Sequence, residues 1–528
     1  MENHDFSPKS GFIETKVAIV GAGISGIAAA KQLRNLKPVV FEVSDSTGGV
    51  WKHCTFHSTK LQTPRLDFQF SDYPWPKSVT SLFPSHSEFL DYLDGYARHF
   101  DVLKFIKFNS KVVHIRFSGD CKSTEFISNQ WGEKGRPIFS RPIWELAVKT
   151  NDSDDLQWYR AEFVVMCTGK YGNIPRIPVF PHGKGPEKFN GKVMHTLDYS
   201  KLDKESAHQL LKGKKVVVVG YKKSAIDLAT ECAEANQGPD GKPCTVVIRT
   251  LHWIVPPTDY IWGVPFHLLY GARSAQFLHE KPSQTFFREV LCRLFAPVRK
   301  AVSKFVEAYL IWNLPIKKYG LVPDHPFEED YASCQMALVP ENFFPAADDG
   351  RIIFRRAEKW WFWSEGIELD DRSKVEADIV MLATGFEGSK KLKSLFPQPL
   401  TGMLEHPSGV MPLYRGTIHP LIPNMAFVGY IQGVSGVHAA ELRCKWLAHL
   451  IEGGFVLPSV EEMMEHTNKE IKVMTKSTRF YKRQCTSTFD ISQYDEICED
   501  MGWKAWRKKN WVSEAFSAYT NLDYGDEN

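Results

Sequence analysis

An α/β fold built on two parallel-sheet units is what this sequence predicts, on three observations. Two short β-branched runs, KVAIVG at 16–21 and KVVVVG at 215–220, each end in glycine and lead into a helix-permissive segment. Each is followed by a second apolar run, VVFEV at 39–43 and TVVIRT at 245–250, completing a strand–helix–strand unit. Two further apolar runs, FVVMCTGKYG at 163–172 and DIVMLATGFEG at 378–388, share a Thr-Gly ending. The near-repeat makes these two Rossmann-like, dinucleotide-binding domains in one chain.

The elements follow in order. KVAIVG is continuously apolar, as in a strand covered on both faces. The stretch from Ile24 to Arg34 is Ala-rich and helix-permissive, and VVFEV is the next strand. In the second unit SAIDLATECAEA is the helix and NQGPDGKP the loop after it. MAFVGYIQG at 425–433 reads as a strand before a helix beginning near Val437. The first domain is therefore discontinuous, with the second inserted between the Thr-Gly segments. The expected boundaries are 1–175 and 375–528 for the first domain and its C-terminal helices, and 176–374 for the second, with a helical insertion at about 256–345. Within that insertion, Phe286 to Trp312 is amphipathic and basic on one face. A packed helix pair with a solvated basic face is the favoured reading, a membrane-surface helix or lid the alternative. KWWFW at 359–363 sends Trp360 and Trp361 in opposite directions along a strand, and such aromatics serve packing more often than a ligand cage.

Bulk composition narrows the function. A chain of 528 residues, 43% hydrophobic and 24% charged, has material for two or three domains with sizeable cores. The net charge of +3 implies no strong field for nucleic acid or membrane. Ten cysteines include no C-x-x-C pair, which argues against a dithiol site or zinc knuckle, and reduced, mostly buried thiols are expected. The opening MENHDFSPKSGF lacks the apolar core of a secretory signal, no run is long enough to span a bilayer, and the acidic NLDYGDEN is no tail anchor. These readings predict a cytoplasmic protein.

Gly21, Gly23 and Gly26 form G-x-G-x-x-G between strand and helix. The first permits a tight turn, the second leaves room for a pyrophosphate, and the third lets the helix approach the sheet. The helix N-terminus offers free N–H groups to phosphates. Glu42 ends the second strand, where a carboxylate accepts ribose hydroxyls and repels a 2′-phosphate, so this site should take FAD or NAD. Gly48-Gly49-Val50-Trp51 allows backbone to approach a flat ring system that Trp51 can cover, or is a turn with a packed tryptophan. The second site keeps Gly220 and a small Ala225 but has Lys222 where the middle glycine belongs, followed by Lys223 and Ser224. Lys222 either crowds a pyrophosphate or, like Lys223, turns to pair with phosphate charge. Arg249 ends the second strand, where it can pair with a 2′-phosphate and favour NADP.

These residues resemble the flavin-containing monooxygenases over nearly the whole chain. Phe189-Asn190-Gly191-Lys192-Val193-Met194-His195 followed by Tyr199 fits that family's F-x-G-x-x-x-H-x-x-x-Y signature. Leu382-Ala383-Thr384-Gly385-Phe386 fits its L-A-T-G-[YF] motif, and Gly48, Gly49 and Trp51 its G-G-x-W. GYKKSAID, EEDYASCQMA, VPENFF and SGVMPLYRGTIHPLIPNM resemble the plant branch, nearest to its pipecolate N-hydroxylating members in systemic immunity. The resemblance implies an enzyme that binds FAD and NADPH, forms a C4a-hydroperoxyflavin with O2, and oxygenates a small nucleophile. N-hydroxylation of an amine such as pipecolic acid in plant defence is the leading expectation. S-oxygenation of a thioether and oxidative decarboxylation of a 2-oxo acid are the alternatives. It also leaves open peripheral attachment to the endoplasmic reticulum. Two departures stand out. Lys222 occupies the second glycine, so an FAD-bound scaffold or sensor that has lost NADPH is a further alternative. Gln62 stands where many members have a flavin-side asparagine; it keeps the amide donor and acceptor and is the candidate catalytic residue. His195 is expected to be structural or domain-coupling rather than an acid or base.

Overall fold

The first sheet is organised around the strand Ile13–Val20 of a computed structural model that describes residues 11–118, 143–150 and 155–525. Most of the opening peptide, the last three residues and Cys121 lie outside the described residues. Ile13–Val20 pairs in parallel with Val39–Phe41 on one side and with Leu156–Met166 on the other. Ile106–Lys107 extends the first edge, and Met425–Phe427 adds in parallel beyond Leu156–Met166. Trp144–Thr150 and Ser110–Phe117 continue as an antiparallel extension. Helix Ile24–Gln32 lies against helix Gly436–Ile451. The fully buried Ala28, Ala29 and Ala30 keep side chains short on the first of these helices. The first unit is thus closed by a strand and helix from the far end of the chain.

The second sheet has five parallel strands, in the order Ile352–Arg356, Cys244–Ile248, Val216–Val219, Ile379–Leu382, Lys192–His195. Four consecutive buried valines, Val216 to Val219, form its middle, and burying each contributes about 1.5–3 kcal/mol. Such a run suits a strand covered on both faces. The placement of Ile379–Leu382 corrects the sequence boundary at 374/375. That strand lies inside the second sheet, so the chain leaves this domain only after it. Short buried runs ending in Thr-Gly look alike in either sheet, and only the pairing partner separates them. Trp360–Trp363, Gly366–Leu369 and Lys374–Glu376 form a small antiparallel sheet beside it. Trp360 packs on Phe180 and Trp361 lies under the Lys184 ammonium, as a strand's alternation requires.

The insertion is closed at its base by Ile254–Val255 pairing with Ala337–Leu338. Its helix Ala296–Asn313 sits over the second core, into which Val306 and Leu310 project together with Leu314 just beyond its end, and Phe286–Leu294 packs beside that helix. The inner face is packed as expected, but the outer face is more than a basic surface: Phe286, Phe287, Leu294 and Trp312 are exposed on it. Cys334 and Cys485 form a disulfide, which corrects the expectation that all thiols are reduced. The two are 151 residues apart, and nothing in their spacing marks them as partners. The other described cysteines are free, and all but Cys54 are buried. Among the described residues no helix is long and apolar enough to cross a membrane.

Candidate active site

The first glycine loop is built by close approach. Gly21 has φ +102° and donates its N–H to the Phe41 carbonyl at 2.8 Å; a Cβ there would lie 2.7 Å from the Cys167 carbonyl oxygen. A Cβ on Gly26 would lie 1.8 Å from the Gly21 oxygen, so any side chain would push the helix off the sheet. Gly23 is the N-cap of Ile24–Gln32 and supplies no side-chain cap, leaving first-turn N–H groups directed outward. Gly49 approaches Gly23 so closely that a Cβ on it would be 3.2 Å from the Gly23 Cα. Glu42 is buried, accepting the Ala22 N–H on Oε2 at 2.6 Å and the Ser44 N–H on Oε1 at 2.9 Å. It therefore shapes the loop as well as offering its remaining lone pairs. Trp51 packs edge-on against Phe89 at 4.8 Å and Phe68 at 5.9 Å, so the ring belongs to the first core.

The second loop is similar in backbone and different in charge. Gly220 donates to the Val247 carbonyl at 3.0 Å, and a Cβ on it would meet the Ala383 oxygen at 2.6 Å. Lys222 is the N-cap of Lys223–Ala235 in extended backbone, again without a side-chain cap. Its ammonium turns aside and donates to Gln335 Oε1. Burial, reinforced by the positive charges of Arg483, Arg176 and Arg249, pushes its pKa down to about 7, with Asp330 opposing. Lys223 reaches forward along its own helix to Asp227 at 2.5 Å. Ser224 is half-buried in the first turn, and Arg249 is exposed beyond the end of Cys244–Ile248. Lys222 thus lies within electrostatic reach of Arg176, Arg249 and Arg483 at one helix N-terminus, a setting for phosphates. The sequence reading named Lys222 and Arg249 here and did not name Arg176, Gln335 or Arg483. Gln335 lies 113 residues from Lys222, within the EEDYASCQMA segment, and only the fold unites them.

The signature segment joins the two loops. Phe189 is buried against Phe362, and a Cβ on Gly191 would clash with the Phe189 ring and with the Asp378 oxygen. His195 accepts the Leu197 N–H on Nδ1 at 3.0 Å. Its Nε2 therefore carries the proton and donates to the Gly385 carbonyl at 3.1 Å. Burial lowers its pKa below the usual value, which keeps the ring neutral. Thr384 Oγ1 donates to the Arg176 carbonyl, and Arg176 N–H donates to Gly385 at 2.8 Å. Tyr199 donates to Glu231 Oε2 at 2.6 Å, while Glu231 Oε1 accepts both the N–H and hydroxyl of Ser58 from the first domain. Ser200 donates to the His53 carbonyl at 2.7 Å. The segment is thus a strap between domains, with no ring nitrogen of His195 left for proton transfer.

Gln62 is exposed on the first domain, and its Oε1 accepts the Leu338 N–H of the insertion at 3.2 Å. Residues 14–507 match the family described as flavin-binding monooxygenase-like. The chain belongs to that family. Among its relatives, a probable flavin-containing monooxygenase 1 of Arabidopsis thaliana is 56% identical over 511 residues, covering 97% of this chain and 96% of the relative. A putative flavin-containing monooxygenase 2 of the same plant is 52% identical over 490 residues, covering 93% and 98%. A solved OTEMO complex with FAD and NADP superposes with a TM-score of 0.63 over 90% of this chain and 93% of the other, at 18% identity, a likeness of fold. This flavin monooxygenase is an enzyme that uses FAD and NADPH. Its two helix N-termini without side-chain caps, the glycine loop at the first and the basic cluster at the second fit two phosphate-bearing dinucleotides.

Proposed function

We propose that this flavin monooxygenase holds FAD on the Gly21–Gly26 loop and NADPH on the Gly220–Ala225 loop, and N-hydroxylates a small amine such as pipecolic acid in plant defence. The observation that carries the cofactor assignment is the asymmetry of the two loops. A buried carboxylate, Glu42, stands at the first, where it accepts ribose hydroxyls and rejects a 2′-phosphate. Lys222, Arg176, Arg249 and Arg483 gather at the second, where they neutralise phosphates. Bound FAD supplies the oxygen activation and transfer, with NADPH as its reductant. The protein's own work is binding, orientation and exclusion of water. Gln62, in contact with the insertion, keeps one face of its amide for orienting what lies between the domains. His195 has both ring nitrogens engaged and acts as a strut. An amine whose own lone pair is the nucleophile needs no side-chain base, which suits this economy. The sequence motifs shared with the plant branch support nitrogen as the site of oxygenation.

Two measurements test the reading. Anaerobic addition of NADPH should bleach the yellow protein rapidly; a flavin that stays oxidised would return the scaffold alternative. NADPH consumption across amines, thioethers and 2-oxo acids, with product mass determined, should give an amine carrying one added oxygen on nitrogen. Turnover confined to thioethers or 2-oxo acids would overturn the substrate class while leaving the cofactor assignment intact.

A further inference from the structure

We propose that His252, His325 and Asp330 form a binding site for a divalent transition-metal ion, zinc being the ion that the donor set fits. The three residues are 4%, 3% and 0% exposed, and one ligand atom from each lies within 4.8 Å of the others. His252 Nδ1 is 2.8 Å from Asp330 Oδ1. His325 Nε2 stands 3.0 Å from the same oxygen but outside the direction of a hydrogen bond, so this buried nitrogen has no hydrogen-bond partner. A buried ring nitrogen left unpaired beside a carboxylate is costly, and a metal ion among the three atoms removes that cost by taking a lone pair from each. With these separations, ligands at zinc's distance of about 2.0–2.1 Å subtend about 90° at the ion, and opening by a few tenths of an ångström makes the site tetrahedral. Two imidazoles and a carboxylate suit zinc, whereas magnesium or calcium would want oxygen throughout. A water completes four-coordination.

The surroundings supply the outer contacts that orient metal ligands. His325 Nδ1 is 3.1 Å from Asp324 Oδ1, which holds the proton on that nitrogen and leaves the Nε2 lone pair directed inward. Asp330 Oδ2 accepts the Trp253 N–H at 2.6 Å, and Trp253 Nε1 donates to the His325 carbonyl at 2.9 Å. The Phe480 ring lies against both imidazoles, at 5.0 and 5.1 Å between centroids. Glu329 adds negative charge on the His325 side, and Arg479 pairs with it at 3.0 Å. Lys222 is a positive neighbour of His252 and Asp330, and its pKa of about 7 lets it stand neutral beside an ion. The site joins the segment that follows Cys244–Ile248 to the insertion. The ion is therefore a clamp at the base of the insertion, close in sequence to the pairing of Ile254–Val255 with Ala337–Leu338.

The test is the zinc content and zinc affinity of the untagged, FAD-loaded full chain from zinc-supplemented culture. Elemental analysis should find one zinc per chain. Dipicolinate should remove it and lower the melting temperature, and added ZnCl2 should restore both while the flavin stays bound. His325→Gln and Asp330→Asn should abolish stoichiometric zinc. Should either variant lose flavin, Asp324→Asn carries the comparison, because that side chain is 83% exposed and outside the core. Its zinc affinity should fall about tenfold. Wild-type protein that carries no zinc and takes up none on titration with ZnCl2 would overturn the proposal, leaving the three residues as a hydrogen-bonded brace. Equal zinc in the wild type and all three variants would overturn it too, since the ion would then sit elsewhere.

Discussion

A lysine amine held near pKa 7 responds strongly to a phosphate placed beside it. Burial is the main cause of that depression at Lys222, with Arg483, Arg176 and Arg249 adding to it. A bound phosphate favours the charged form, so NADPH binding takes up a proton above about pH 7. KM for NADPH should therefore rise with pH above about 7, by up to about tenfold per pH unit. Lys222→Arg, charged throughout, should flatten the profile at low KM. Lys222→Met should flatten it at a KM about tenfold to a hundredfold higher, the loss of a charge-assisted hydrogen bond worth about 1.5–3 kcal/mol. A wild-type profile that is flat from pH 6 to 9 would remove Lys222 from the phosphate site. At the first loop, Glu42→Ala strands the Ala22 and Ser44 N–H groups, each at about 1–3 kcal/mol when buried. The purified variant should carry less flavin per protein, measured by absorbance. An unchanged ratio would count against the ribose assignment. Both residues were legible in the sequence because each sits at a fixed offset from a glycine loop. Gln335, Arg176 and Arg483 were not, because their approach to Lys222 depends on three distant segments meeting.

At the scale of elements, the signature segment and the two Thr-Gly turns work as one joint. The first strand–helix–strand unit, the second, and the final strand Met425–Phe427 were all readable from continuous apolar runs bounded by glycine. Sheet membership of Ile379–Leu382 was not, because its four buried residues satisfy either sheet equally. The antiparallel extension Trp144–Thr150 was likewise unmarked by any turn motif. What the motif residues do became visible only as hydrogen bonds: His195 holds Gly385, and Tyr199 reaches Ser58 through Glu231. Tyr199→Phe removes one link of that bridge and leaves every glycine in place. Flavin content should stay at the wild-type ratio, with a stability loss of about 1 kcal/mol in thermal unfolding. Flavin reduction by NADPH in stopped flow should slow several-fold, because Glu231, which accepts from Ser58 across the domains, loses the hydroxyl that holds it in place. Unchanged reduction would make the tyrosine a packing residue only.

Across the whole molecule, the Cys334–Cys485 disulfide fixes the geometry of the basic cluster. Cys334 precedes Gln335, which receives the Lys222 ammonium, and Cys485 follows Arg483 by two residues. Gln432, just beyond the last strand of the first sheet, donates its N–H to Gln484 and accepts from Thr486. The bond therefore ties the insertion over the NADPH loop to the C-terminal segment that is pinned to the FAD side. Closing a loop of this length is worth about 2–4 kcal/mol to the folded chain. Dithiothreitol should lower the melting temperature of wild-type protein and leave that of Cys334→Ser unchanged, since the variant already lacks the constraint. If the clamp matters to the site, Cys334→Ser and reduced wild-type protein should share a raised KM for NADPH at equal flavin content, with kcat less affected. The KM separates this from simple destabilisation, because unfolding would remove flavin and lower kcat first. Wild-type protein insensitive to reductant in both melting and KM would show that the two cysteines are neighbours without a constraining bond, and that the Lys222 cluster is held by packing and hydrogen bonds alone.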